Sequence, residues 1–200
     1  MILVFSIPRS GSTYYSEKLS RLHNHKYDYE FFHSYVPLET KRTIYERLLN
    51  GEFQEHIIKV SPYQIMHTQE SLHISGLLND LVIRSDEIHL LYRKNFTEQC
   101  KSFLAANTMH ELGIPDAFFS RNQDIVCPYS EKEYYITADG LKMQIYAMAN
   151  FYKKSLPEYN KPYKLVAYED FAKPSSKYKS VKWDIVPPEI TDFDPESLFK

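Results

Sequence analysis

Ile2-Leu3-Val4-Phe5-Ser6-Ile7-Pro8-Arg9-Ser10-Gly11-Ser12-Thr13-Tyr14-Tyr15 runs from an apolar strand straight into a small, hydroxyl-rich turn carrying one arginine. A turn between a strand and a helix N-terminus aims several backbone N–H groups at one point, and the helix dipole adds partial positive charge there. Gly11 lets the backbone come close to an anion. Ser10, Ser12 and Thr13 bring hydroxyl donors, and Arg9 brings a guanidinium whose fork matches an oxyanion. The stretch reads as a phosphate cradle. It differs from the nucleotide-hydrolysing loop GxxxxGK[ST], because no lysine follows Gly11 and the cation precedes the glycine.

Outward from this turn, short apolar runs alternate with longer amphipathic ones, the pattern of a parallel sheet with crossover helices. The spacing predicts strands over Ile2–Ser6, His56–Val60, Glu87–Tyr92 and Tyr163–Ala167. It predicts helices over Thr13–Leu22, Leu38–Leu49, a stretch around Glu70–Leu81, Thr97–Glu111 and Thr137–Ser155. The expected class is α/β, a single domain over residues 1–172 with a mainly parallel sheet and helices on both faces. Leu112–Ile136 lacks steady periodicity and reads as a binding loop or lid, or as a packed surface loop. Prolines at 174, 187, 188 and 195 argue against regular structure, so residues 173–200 are expected to wrap over the domain or fray.

Two hundred residues suffice for one substantial core. A net charge of −2 offers no general basic field to nucleic acid or an anionic membrane, so any positive charge that matters is local. Cys100 and Cys127 are too few for a disulfide framework or a cysteine zinc site, which favours a reducing compartment. The eight histidines form no HExxH or similar spacing, so no metal is expected. No segment approaches the roughly 20 apolar residues that span a bilayer, and no basic-then-apolar leader opens the chain, so the expected location is cytoplasmic.

A second informative run is Glu87-Ile-His-Leu-Leu-Tyr92-Arg93-Lys94-Asn95-Phe-Thr97-Glu98-Gln99-Cys100-Lys101-Ser102-Phe103. A buried strand ends at Tyr92, two cations stand at its carboxyl end, and a helix follows with Ser102 more than two turns in. In open α/β sheets ligands collect outside the carboxyl ends of the strands, which places Arg93 and Lys94 beside the edge where Arg9 lies. Two separated anion sites on one edge suit a ligand phosphorylated at both its 5′ and 3′ positions.

PRSGST resembles the 5′-phosphosulfate loop of sulfotransferases that use 3′-phosphoadenosine-5′-phosphosulfate (PAPS). The Arg93 to Ser102 string resembles their 3′-phosphate motif, most closely that of bacterial trehalose-type sulfotransferases. The resemblance implies that Arg9, Ser10, Gly11, Ser12 and Thr13 hold the phosphosulfate and that Arg93 and Ser102 hold the 3′-phosphate. Tyr168-Glu169-Asp170-Phe171 looks like the YEDL segment found late in that family, where it supports the fold; Tyr, Glu and Asp at a strand end commonly serve as caps. No match is expected for the Gly-rich nucleotide loop of cytosolic sulfotransferases, which the tail lacks.

The implied reaction is in-line displacement at sulfur by an acceptor hydroxyl, which requires a base, charge stabilisation and alignment. Candidate bases between the first helix and second predicted strand are His23, His25, Asp28, Glu30 and His33. In Asp28-Tyr29-Glu30-Phe31-Phe32-His33, Glu30 followed by two aromatics resembles the glutamate base of trehalose-type sulfotransferases in position, and its aromatic neighbours are expected to exclude water from it. His33 is the runner-up, since cytosolic hydroxysteroid and phenol sulfotransferases use histidine. Lys59, near the end of an apolar strand, resembles the lysine of a Lys-Ser-Pro-Tyr grouping in heparan-type enzymes, with Val60 inserted. It either reaches the phosphosulfate and acceptor or snorkels to solvent. Trp183 covers an adenine or docks its own segment. The acceptor is a small molecule or carbohydrate, with no nucleic acid or membrane partner expected. Rival readings are a P-loop-type nucleotide kinase or phosphotransferase, and an inactive nucleotide-binding module of the same fold.

Overall fold

The computed structural model describes residues 1–27, 30–113, 125–172 and 181–200. Its centre is a five-stranded sheet in which every neighbouring pair runs parallel. The strands are β1 (Ile2–Ser6), β2 (Lys26–Tyr27), β3 (His56–Val60), β4 (Glu87–Tyr92) and β6 (Tyr163–Ala167), in the order β2-β3-β1-β4-β6. Parallel neighbours need crossovers. Helices α1 (Ser12–His23), α2 (Leu38–Leu49), α3 (Pro62–Leu72), α4 (Leu77–Arg84), α5 (Phe96–Glu111) and α6 (Glu131–Asn150) lie between them. A separate parallel pair joins β5 (Ile125–Cys127) to β7 (Val181–Trp183), and α7 (Tyr168–Phe171) is a single turn directly after β6. Among the described residues no helix is long and apolar enough to cross a membrane.

The four predicted strands have the observed bounds because each is an apolar run with a turn at its end. Alternation across the pleat divides them between two cores. Leu3, Phe5, Ile58, Val60, Ile88 and Leu90 face a large core that also takes Ile44, Ile65, Leu81, Leu104 and Ile145 from the helices. Ile2, Val4, Ile57 and Leu91 face a smaller one closed by Leu19 and Tyr15 of α1 and by Phe171. Helices therefore cover both faces, as expected for this class.

Besides β2, two residues long and not among the expected strands, three segments depart from the sequence expectations. The helix expected around Glu70–Leu81 is two helices. His73 takes a left-handed conformation (φ 53°), the Ile74 N–H donates to the Gln69 carbonyl at 3.0 Å, and Gly76 (φ 83°) opens α4. This is a Schellman stop followed by a glycine start. α6 begins at Glu131, earlier than the expected Thr137, because Ser130 and Glu133 form a capping box; it gives way at Phe151–Ser155 to a π turn and then to a 3₁₀ turn containing Pro157. The expected 112–136 lid thus includes β5 and the start of α6, and its residues 114–124 lie outside the described residues. In the tail, 173–180 lie outside them too, while 181–200 carry β7 and a 3₁₀ turn over Glu196–Phe199 whose Phe199 is buried in the main core.

Parallel register places Lys59, Val4, His89 and Lys164 in one row across the sheet. His89 is 1% exposed; its Nδ1 lies 2.8 Å from the Tyr15 hydroxyl and its Nε2 lies 3.1 Å from Glu87 Oε1, which also meets Lys164 at 2.5 Å. Burial pushes the Tyr15 phenol up to about 12, so the hydroxyl keeps its proton. Burial also pushes the His89 imidazole below its usual value, outweighing the attraction of Glu87. A depressed folded value means that the unfolded chain binds more protons, so this stability is fully present above about pH 6.5 and is lost as pH falls through the folded value. Urea unfolding is expected to show stability declining as pH falls from 7.5 to 5.5, with a shallower slope in His89→Gln. A decline of equal steepness in both proteins would reject the assignment.

Candidate active site

The carboxyl ends of all five central strands deliver the residues singled out by the sequence. Arg9 follows β1, Glu30 comes shortly after β2, Lys59 stands in β3, Arg93 follows β4, and Tyr168 follows β6. β1 lies between β3 and β4, so the chain reverses its direction of travel across the sheet there, and a crevice opens at such a point.

The β1–α1 loop occupies that position. The Ser10 N–H donates to the Ile7 carbonyl at 3.2 Å, and Arg9 (φ 64°) and Gly11 (φ 73°) both take left-handed conformations. The left-handed region costs a non-glycine residue about 1 kcal/mol, so Arg9 is held there by its surroundings. Its Nε–H donates to Ser102 Oγ at 2.9 Å, and Gln99 Nε2 donates to the Pro8 carbonyl at 2.6 Å, tying the loop to α5. Gly11 is required sterically as well: a Cβ there would come within 2.4 Å of the Tyr168 ring. The first intrahelical bond of α1 runs from the Tyr15 N–H to the Gly11 carbonyl, so the amides before it are the open donors of a helix start. Ser10 is fully buried and its hydroxyl has no hydrogen-bond partner among the described residues. That orphaned donor suits an anion in the loop.

Lys59 enters the loop from the neighbouring strand. Its ammonium donates to Thr13 Oγ1 at 2.9 Å and forms an ion pair with Glu30 Oε1. Glu30 Oε2 accepts from Gln64 Nε2 at 2.9 Å and lies 3.5 Å from His33 Nε2. Burial lowers the Lys59 pKa, with Glu30 opposing it and Arg9 adding to it. Burial likewise lowers that of His33 against the pull of Glu30, which favours its neutral form. Of the aromatic neighbours expected to shield Glu30, Phe32 is 1% exposed within the main core, Phe31 packs on Phe53 at 5.2 Å, and Tyr29 lies outside the described residues. Cationic and amide donors meet the Glu30 carboxylate. Among the other candidate bases, His23 and His25 pair with each other at the far end of α1, and Asp28 lies outside the described residues.

Arg93 has different company. Its guanidinium carbon stands 4.8 Å over the Tyr168 ring, its Nη1 lies 3.5 Å from the Glu98 carbonyl, and its buried Nε makes no hydrogen bond among the described residues. Glu169 accepts from the backbone N–H groups of Lys94 (3.0 Å) and Asn95 (3.1 Å) and approaches Arg93 Nε at 3.9 Å. The amides of the β4–α5 connection are thus taken by the chain's own carboxylate. Ser102, expected beside Arg93, is brought to Arg9.

No family model, curated protein or solved structure matches the chain.

Sequence reasoning passed over Gln64 and Gln99, and took Tyr168 only as a fold-supporting strand-end residue. Gln64 had a signal: Ser61-Pro62-Tyr63-Gln64 is a capping box with proline at the first helical position, and it starts α3 with Gln64 facing Glu30. Trp183 packs with Ala105, Met109 and Cys127, so it docks its own segment.

Proposed function

We propose that this protein is a PAPS-dependent sulfotransferase that moves the sulfuryl group of PAPS to a hydroxyl of a small-molecule or carbohydrate acceptor. The observation that carries the reading is Lys59, whose ammonium touches both Thr13 of the cradle and Glu30, putting anion site, cation and carboxylate in contact. The amides before Tyr15, the Ser10 hydroxyl and Arg9 hold the phosphosulfate, and Arg93 takes the 3′-phosphate. Glu30 accepts the acceptor proton as the acceptor oxygen–sulfur bond forms. Arg9 and Lys59 stabilise the charge that builds as the sulfur–oxygen bond to the 5′-phosphate breaks and adenosine 3′,5′-bisphosphate departs. Gln64 and His33 orient the Glu30 carboxylate. Cys100 and Cys127 are free and buried, which suits a reducing cytoplasm.

Thermal-shift titration with adenosine 3′,5′-bisphosphate, followed by transfer of labelled sulfate from PAPS to a panel of hydroxyl acceptors, tests the reading. At a hundredfold excess over the dissociation constant the bisphosphate is expected to stabilise the fold by about 2.7 kcal/mol. Stabilisation by magnesium-ATP alone would favour a phosphotransferase, for which Lys59 supplies the lysine that the loop lacks. Binding of the bisphosphate without transfer to any acceptor would leave an inactive nucleotide-binding module.

A further inference from the structure

Tyr168 touches both halves of the candidate nucleotide site. Its Cδ2 and Cε2 atoms would lie 2.4 and 2.6 Å from a Cβ at Gly11, so one side of the ring rests on the cradle backbone. The Arg93 guanidinium stands over the same ring at 4.8 Å. Phe171 supports it at a centroid distance of 5.7 Å, and Phe171 is itself packed on Tyr15 of α1 at 4.9 Å. The turn that carries the ring is locked to the β4–α5 connection by the two amide hydrogen bonds to Glu169 and by Lys94 with Asp170 at 3.4 Å.

We propose that Tyr168 is a positioning residue that fixes the spacing between the Gly11 cradle and Arg93, and so makes the site selective for a nucleotide phosphorylated at its 3′ as well as its 5′ position. This rests on the nucleotide-binding reading above. A guanidinium over an aromatic face is attracted by the ring quadrupole while its N–H groups stay free to donate at the edge. Arg93 Nε is 3.9 Å from Glu169, close enough to collapse into a direct ion pair once the ring is gone. Tyr168 thus holds the Arg93 guanidinium on its ring face, at a set distance from Gly11.

Calorimetric titration of wild type, Tyr168→Phe, Tyr168→Leu and Arg93→Ala with adenosine 3′,5′-bisphosphate and with adenosine 5′-monophosphate tests this. Tyr168→Leu and Arg93→Ala are expected to weaken the bisphosphate about tenfold while the monophosphate changes by less than about twofold. Tyr168→Phe, which keeps the ring, retains the wild-type preference. Equal weakening of both ligands, or a preference that survives Tyr168→Leu, overturns the inference alone. A wild type with no preference for the bisphosphate overturns the nucleotide reading and this inference with it. Should Tyr168→Leu fail to fold, the Arg93 Nε–H resonance of the wild type, assigned through Arg93→Lys, is expected to move on adding bisphosphate and to stay still with monophosphate. Any other pattern overturns the assignment.

Discussion

Arg9→Ala is expected to lower turnover with PAPS by about 10²- to 10³-fold, the loss seen when a single preorganised donor to developing negative charge is removed. Alanine is strained at φ 64° just as arginine is, so the backbone contribution is nearly unchanged and the measured loss belongs to the guanidinium. The same substitution also removes the Nε–H bond to Ser102, one tie of the loop to α5, while that of Gln99 to Pro8 stays. Thermal unfolding is therefore to be read beside the kinetics. Arg9→Lys keeps the charge without the fork and should recover only part of the rate. A variant with wild-type kcat/KM would remove Arg9 from the site.

Glu30→Gln is expected to reduce kcat by about 10²- to 10⁴-fold, the range supplied by a positioned general base. Nucleotide affinity should hardly change, because the amide still fits between Gln64 and His33 and the phosphate donors lie elsewhere. The substitution also leaves the Lys59 ammonium, whose side chain is 6% exposed, without its carboxylate. Loss of a buried partner usually costs several kcal/mol, so lowered stability together with lowered kcat is the expected signature. Undiminished turnover would pass the proton-accepting role to another group, and His33→Gln would then be the decisive comparison.

The sheet was legible because its signals are local. β1, β3, β4 and β6 are apolar runs closed by turns, and their bounds follow from the residues alone. β5 and β7 were not: three-residue strands paired between distant parts of the chain leave no periodicity to read. The same distinction holds in the site. The chemistry of Arg9, Glu30, Lys59 and Arg93 was readable from residue type and position relative to a strand end. Their partnerships were not, because the contact of Lys59 with Thr13 depends on the register of β1 on β3, and that of Arg9 with Ser102 depends on how α5 packs on the loop. Tyr168 looked like an ordinary strand-end residue until Gly11 and Arg93 were seen on either side of it.

Because each central strand presents its site residue at the carboxyl end, the opposite rim of the sheet carries none of the proposed chemistry. The exposed turn at Gly51 and Glu52, ahead of β3, belongs to that rim. A fluorophore or short peptide grafted there should report on folding and ligand capture from a distance, without intruding on the crevice it monitors.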